Sequence, residues 1–253
     1  MRLEGQAAIV TGGASGLGAA TAAALAAAGC KVAVVDINAE AAAKAASAYG
    51  GIGIGCDVGD AGSAEGAFAA ARAAHGPARV LVNCAGIGTP GRIVGKEGPM
   101  QLSAFERVIR VNLTGTFNML RLAAAEMQGL DPLEDNERGV IINTASVAGY
   151  EGQIGQAAYA ASKAGVIGLT IQAARELARS GIRVVTIAPG LIETPMFGGL
   201  PDDVRASLSA SVPFPARLGH PSEYAALAMH IVANRFLNGE TIRLDGALRM
   251  APR

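Results

Sequence analysis

Along this 253-residue chain, short continuous apolar runs alternate with longer stretches whose apolar positions recur every three to four residues. The runs Ala7–Thr11, Lys31–Asp36, Ile52–Cys56, Val80–Asn83, Val140–Thr144, Arg183–Ile187 and Thr241–Leu244 read as strands. The stretches Leu17–Ala28, Ala39–Tyr49, Ser63–His75, Ser103–Met127, Gln156–Ser180 and Ser222–Asn234 read as helices. Strands that are apolar throughout, rather than at alternate positions, are buried on both faces, as in a parallel sheet covered by helices on either side. Right-handed crossovers then predict an α/β fold, doubly wound around a seven-stranded parallel sheet, with its ligand crevice at the carboxyl ends of the strands.

No repeat or linker interrupts the pattern, so one domain over residues 1–253 is expected. Two stretches lack periodicity, Gly86–Met100 and Pro189–Gly219. The second carries Pro195, Pro201, Pro213 and Pro215 among Met196, Phe197, Leu200 and Phe214, and reads as a lid over residues 189–219. Lys plus Arg and Asp plus Glu both total 21. A balanced chain without basic blocks argues against nucleic acid or an anionic membrane as the main partner. The most apolar stretch, AATAAALAAAGC, is too short to span a bilayer, and MRLEGQAAIV enters a strand with no signal or transit pattern. Cys30, Cys56 and Cys84 have no C-x-x-C spacing and read as reduced thiols of a cytoplasmic protein. His75, His220 and His230 lack ligand spacing, so no metal is expected. The acidic turn Leu133–Glu137 reads as solvated, and Asp202-Asp203 as a helix start.

Chemistry concentrates at the strand ends. The first strand runs into TGGASGLG, where Gly12, Gly16 and Gly18 stand between strand and helix. Glycines there permit a tight turn and close backbone approach to a pyrophosphate at the helix N-terminus, the Rossmann-type arrangement. Asp36 ends the second strand, where a carboxylate accepts ribose hydroxyls and so fits NAD. It repels a 2′-phosphate by about 4 kcal/mol per charge pair at ~4 Å and an effective dielectric of ~20. Asp57 and Val58 end the third strand, within reach of an adenine, and the small residues of NCAG, Asn83 to Gly86, let a cofactor ring lie on backbone. Tyr159 and Lys163 are four residues apart in a helical stretch and therefore share a face. A phenol titrates near ~10, and bringing it close to ~7 takes about 4 kcal/mol. One nearby ammonium supplies roughly 1–3 units of that shift, so further positive charge or hydrogen bonding is needed.

TGGASGLG, NCAG, Ser146, the Tyr159/Lys163 pair and Pro189-Gly190 follow the order and spacing of the short-chain dehydrogenase/reductase family, which the chain resembles over essentially its whole length. Within that family, GVIINTASVAGYEGQIGQAAYAASKAG, IRVVTIAPGL and FLNGETIRLDGALRM resemble its 3-hydroxyacyl-CoA dehydrogenases. The resemblance implies Tyr159 as acid/base, Lys163 on the nicotinamide ribose, Ser146 on the reacting oxygen, and Asn112 supporting a water relay to Lys163. It implies that Ser15, Leu17, Asp36, Asp57, Val58 and Cys84 contact NAD, with Pro189, Gly190 and Thr194 flanking the nicotinamide and Gln153 and Gln156 facing substrate.

The implied reaction moves a hydride between NAD and the 3-position of a short-chain, even 2-methyl-branched, acyl-CoA. A steroid or other apolar secondary alcohol suits the greasy lid as an alternative. A 3-oxoacyl-carrier-protein reductase fits less well because such enzymes favour NADPH, and a non-catalytic NAD scaffold would not need the full proton-transfer set. The resemblance also implies a homotetramer, pairing Ser103–Met127 and Gln156–Ser180 between subunits, with the C-terminal tail docked on a neighbour. Two departures stand out. Mammalian enzymes of this kind are mitochondrial, whereas no transit pattern is seen here, and Gly86–Met100 resembles the family loop only loosely, its Arg92 and Lys96 reading as solvated charges.

Overall fold

The structure, a computed structural model, describes residues 1–195 and 201–252. Seven strands form one sheet: β1 (Ala7–Thr11), β2 (Lys31–Asp36), β3 (Ile52–Gly55), β4 (Ala78–Asn83), β7 (Gly139–Thr144), β8 (Ile182–Pro189) and β9 (Thr241–Leu244). Their spatial order is β3-β2-β1-β4-β7-β8-β9, with every neighbouring pair parallel. The order reverses at β1 and β4, which opens a crevice at their carboxyl ends. A separate small hairpin, β5 (Val94–Gly95) and β6 (Gly98–Pro99), lies within the stretch expected to be irregular.

Period-2 side-chain alternation sends each strand's residues into two cores. Ala7 and Ile9 of β1 join Phe68, Met119, Met127 and Leu177 from α3 (Ala61–His75), α5 (Gly115–Gln128) and α6 (Ala157–Leu177). Ala8 and Val10 join Leu25, Ala42 and Ile231 from α1 (Gly16–Ala27), α2 (Ala39–Ser47) and α8 (Pro221–Ala233). Each fully buried Leu, Ile or Phe stabilises the fold by roughly 1.5–3 kcal/mol. Small residues let the helices lie close: α1 presents Gly18, Thr21, Ala22 and Leu25, one buried stripe at helical spacing. Side chains cap the helices where the sequence allows, Ala41 N–H donating to Asn38 at 3.0 Å before α2 and Ser63 N–H to Asp60 at 2.7 Å before α3.

The helix expected over Ser103–Met127 is two helices, α4 (Leu102–Ile109) and α5, joined without a break by a π-turn at Arg110–Thr114. The wide turn follows from Asn112, whose fully buried side chain is held outside the rod. Its amide donates to Ile87 C=O at 2.9 Å and to Ser162 Oγ at 3.0 Å, and its Oδ1 accepts from Ile87 N–H at 2.8 Å. Helix α7 (Asp202–Ala210) begins at the expected carboxylates.

One expectation is corrected. The turn Leu133–Glu137 is not wholly solvated: Arg235 bonds Glu134 and Asp135, while Glu137 is buried and paired with Arg183. The C-terminal tail makes bonds within its own chain: Met250 N–H donates to Glu151 at 2.9 Å and Ile154 N–H to Pro252 C=O at 3.0 Å. Among the described residues no helix is long and apolar enough to cross a membrane.

Candidate active site

The glycine-rich turn is shaped by close contact. Gly12 has φ +61°, and a Cβ there would lie 2.7 Å from Ala85 N; a Cβ on Gly18 would lie 2.2 Å from Gly12 O. Side chains at either position would push the turn away from β4 or α1 off the strand. Ser15 caps α1 without a side-chain hydrogen bond, and no acidic residue stands in the first turn. The amide donors at that helix start are therefore left for an anion. Leu17 packs on the core behind the turn, and the Thr194 methyl lies 3.3 Å from where a Gly16 Cβ would sit, so Thr194 overhangs it. Asp36 accepts from Ala14 N–H and Asn38 N–H, both at 3.2 Å, which aims its carboxylate along the turn.

Other predicted residues are placed differently from one another. Asp57 is partly occupied, accepting from Arg110 and Gly59 N–H at 2.9 Å each. Val58 is buried, its carbonyl accepting from Asn118 at 2.9 Å. The Asn83 side chain does not line the crevice: it is buried and donates to Asn143 Oδ1 at 3.0 Å, tying β4 to β7. Ala85 N–H donates to Thr11 Oγ1 at 3.2 Å, and a Cβ on Gly86 would stand 3.5 Å from Lys163 Nζ, so NCAG runs from the sheet directly to the lysine. Pro189 closes β8, and Gly190 N–H donates to Leu244 C=O at 2.9 Å. Met196, Phe197 and Leu200, the apolar lid residues, lie outside the described residues.

Tyr159, Lys163 and Ser146 come together at the mouth of this crevice. Helix α6 carries the first two, with Lys163 Nζ 5.7 Å from the Tyr159 ring centre. Ser146 follows β7, where its Oγ accepts from Ala148 N–H at 3.1 Å, and it stands near enough to the Tyr159 hydroxyl to favour the phenolate. Lys163 is buried and donates to Thr144 C=O at 2.7 Å. Burial in this apolar wall brings its pKa from 10.5 to about 8. Burial raises the Tyr159 pKa, and the neighbouring Ser146 hydroxyl opposes this. In the protein alone desolvation outweighs what the Ser146 hydroxyl supplies, in keeping with the need for further positive charge at the phenol. Asn112 sits one layer behind, joined through Ser162 Oγ, which donates to Tyr159 C=O at 2.7 Å.

Gln153 and Gln156 bond weakly to each other at 3.4 Å, and Gln153 also donates to Ala251 C=O at 2.9 Å. Sequence reading did not single out Arg110, Thr144 or Tyr224. Tyr224 looks like an ordinary apolar helix position, and its hydroxyl partner lies 80 residues away. The residues present fit a dinucleotide: open helix donors, a carboxylate beyond them, and a glycine cradle that Cβ atoms would fill. Among the described residues no cluster of His, Cys, Asp or Glu has metal-site geometry.

The family profile described as short chain dehydrogenase matches residues 6–205. The 3-hydroxyacyl-CoA dehydrogenase type-2 of Bos taurus is 49% identical over 99% of this chain and 97% of its own length. The protein of that name from Drosophila melanogaster is 47% identical, over 99% and 100% respectively. The crystal structure of 3-hydroxyacyl-CoA dehydrogenase type-2 from Mycobacterium avium superposes with TM-score 0.94 at 45% identity, covering 98% of each chain.

Proposed function

Because this chain belongs to the short-chain dehydrogenases, we propose that it is an NAD-dependent enzyme interconverting the 3-hydroxyl and 3-keto groups of short-chain acyl-CoA. The observation that carries the chemistry is the meeting of Ser146, Tyr159 and Lys163 at the mouth of the glycine cradle. Full-length identity of 47–49% to relatives named for 3-hydroxyacyl-CoA supports the substrate class.

NAD, when bound, accepts a hydride from the alcohol carbon or returns it to the ketone. The open donors of α1 would hold its pyrophosphate, and Asp36 its adenine ribose hydroxyls, disfavouring a 2′-phosphate. Asp57 and Val58 would flank the adenine, and Cys84 to Gly86, Pro189, Gly190 and Thr194 the nicotinamide. Lys163 would hold the nicotinamide ribose, and Ser146 would donate to the substrate oxygen. Tyr159 removes the alcohol proton in oxidation and gives it back in reduction. With its pKa raised by burial, the phenol stands protonated and ready to donate. Its work as a base requires added positive charge, which the Lys163 ammonium and a bound oxidised nicotinamide would supply together. Gln153 and Gln156 would face the acyl group, beneath a lid over residues 189–219. The outward groove between α5 and α6, lined by Leu113, Phe117 and Leu169, supports pairing of these helices in a homotetramer.

The test is NADH formation from 3-hydroxybutyryl-CoA and 2-methyl-3-hydroxybutyryl-CoA. Turnover of either with NAD and not with NADP is expected. Inactivity on both, with turnover of a steroid or simple apolar alcohol, would replace the acyl-CoA assignment.

A further inference from the structure

Behind Lys163, on the opposite side of the sheet's edge, three polar groups from three elements close a ring. Tyr224, in α8, is fully buried. Its hydroxyl lies 2.7 Å from Thr144 Oγ1, at the last residue of β7. Thr144 Oγ1 donates to Cys84 Sγ at 3.6 Å, and Cys84 Sγ donates to Tyr224 Oη at 3.7 Å. Each group carries one proton and either hydroxyl of the Tyr224–Thr144 pair can donate, so the ring closes with one proton per bond. Every member then donates once and accepts once, and no rotation of one hydroxyl leaves the others satisfied.

The ring fixes the one residue that holds the lysine. Thr144 uses its side chain toward α8 and its carbonyl oxygen toward α6, where Lys163 Nζ donates at 2.7 Å. Among the described residues Lys163 has no carboxylate partner, so this carbonyl is the anchor that sets where its charge stands. We propose that Tyr224 is a positioning residue for the dehydrogenase reaction, locking Thr144 through its hydroxyl so that the Thr144 carbonyl holds the Lys163 amine against the cofactor site. This rests on the reading of Lys163 given above. A buried phenol has cheaper ways to be satisfied than a ring spanning three elements at the crevice; a phenylalanine would fill the same volume with no polar cost. Burial raises the Tyr224 pKa well above its ordinary value, so the hydroxyl stays a donor throughout the working range. The titratable groups facing Lys163 are Cys84 from the end of β4 and Tyr159 from its own helix, with Tyr224 one bond further behind Thr144.

The test compares Tyr224→Phe and Thr144→Val with Thr170→Val. Thr170 makes an equally buried hydroxyl pair with Thr186 at 2.6 Å, away from the lysine. NADH affinity by fluorescence titration is expected to weaken about five- to tenfold in Tyr224→Phe and in Thr144→Val. The double variant should lose no more than either alone. The alkaline limb of the kcat/KM profile should move toward neutral pH, because a loosened carbonyl bond stabilises the ammonium less. Thr170→Val should lower the melting temperature while keeping wild-type NADH affinity and pH profile. Tyr224→Phe that merely melts earlier, with affinity and profile unchanged, would overturn the proposal. Wild-type protein that binds no NADH would instead overturn the cofactor reading on which it stands.

Discussion

Among the described residues two cationic side chains lie buried, and the protein treats them in opposite ways. Arg183, near the start of β8, meets Glu137 at 2.8 Å and donates to the carbonyls of Ile231, Val232, Asn234 and Leu237. Its charge and nearly all its donors are matched, at the end of the sheet away from the crevice. Lys163, at the crevice, has one carbonyl and no carboxylate, and its pKa falls to about 8. A matched charge is architecture, whereas an unmatched one is kept for something that arrives. The contrast gives a way to recognise function in a buried cation without knowing the ligand: count what it lacks.

Experiments can break this contrast, starting with the largest effect. Tyr159→Phe should lower kcat by about 10²–10⁴-fold while leaving the melting temperature near wild type, measured by steady-state NADH formation. Arg183→Met should leave activity per folded molecule intact and cost up to about 3–5 kcal/mol of stability in urea titration, because buried Glu137 then keeps only the Met1 ammonium, 3.3 Å away. Lys163→Met should do the reverse, abolishing activity while stabilising the fold at neutral pH by up to about 3 kcal/mol. The sign follows from linkage. With the folded pKa at about 8 against 10.5 unfolded, the burial penalty is full below pH 8 and relieved across the window between the two values. Stability of the wild type therefore rises with pH there, and the advantage of Lys163→Met should vanish above it. Asp36→Ala should have the smallest effect, reducing the preference for NAD over NADP about tenfold or more, read from the ratio of kcat/KM values.

Much of this was legible in the sequence because it is written in short, local patterns. The seven strands, the glycine turn, Asp36 and the Tyr159/Lys163 pair depend on spacing along one or two elements. What escaped depends on contacts between distant segments. Glu137 looked like part of a solvated acidic turn because its partner is 46 residues away. Spacing also predicted one helix over Ser103–Met127, since a wide turn leaves the apolar rhythm on each side unbroken.

That wide turn is one residue of slack in the chain. It spends one residue more than ordinary α winding on the same rotation, so removing one residue between Arg110 and Thr114 would restore ordinary winding and leave Met119 and Met127 facing the core they now fill. What the deletion would take away is the bulge that moors Asn112 on Ile87 and Ser162. The extra residue serves the polar tether and not the core: a single-codon deletion would spare the packing and cut the mooring.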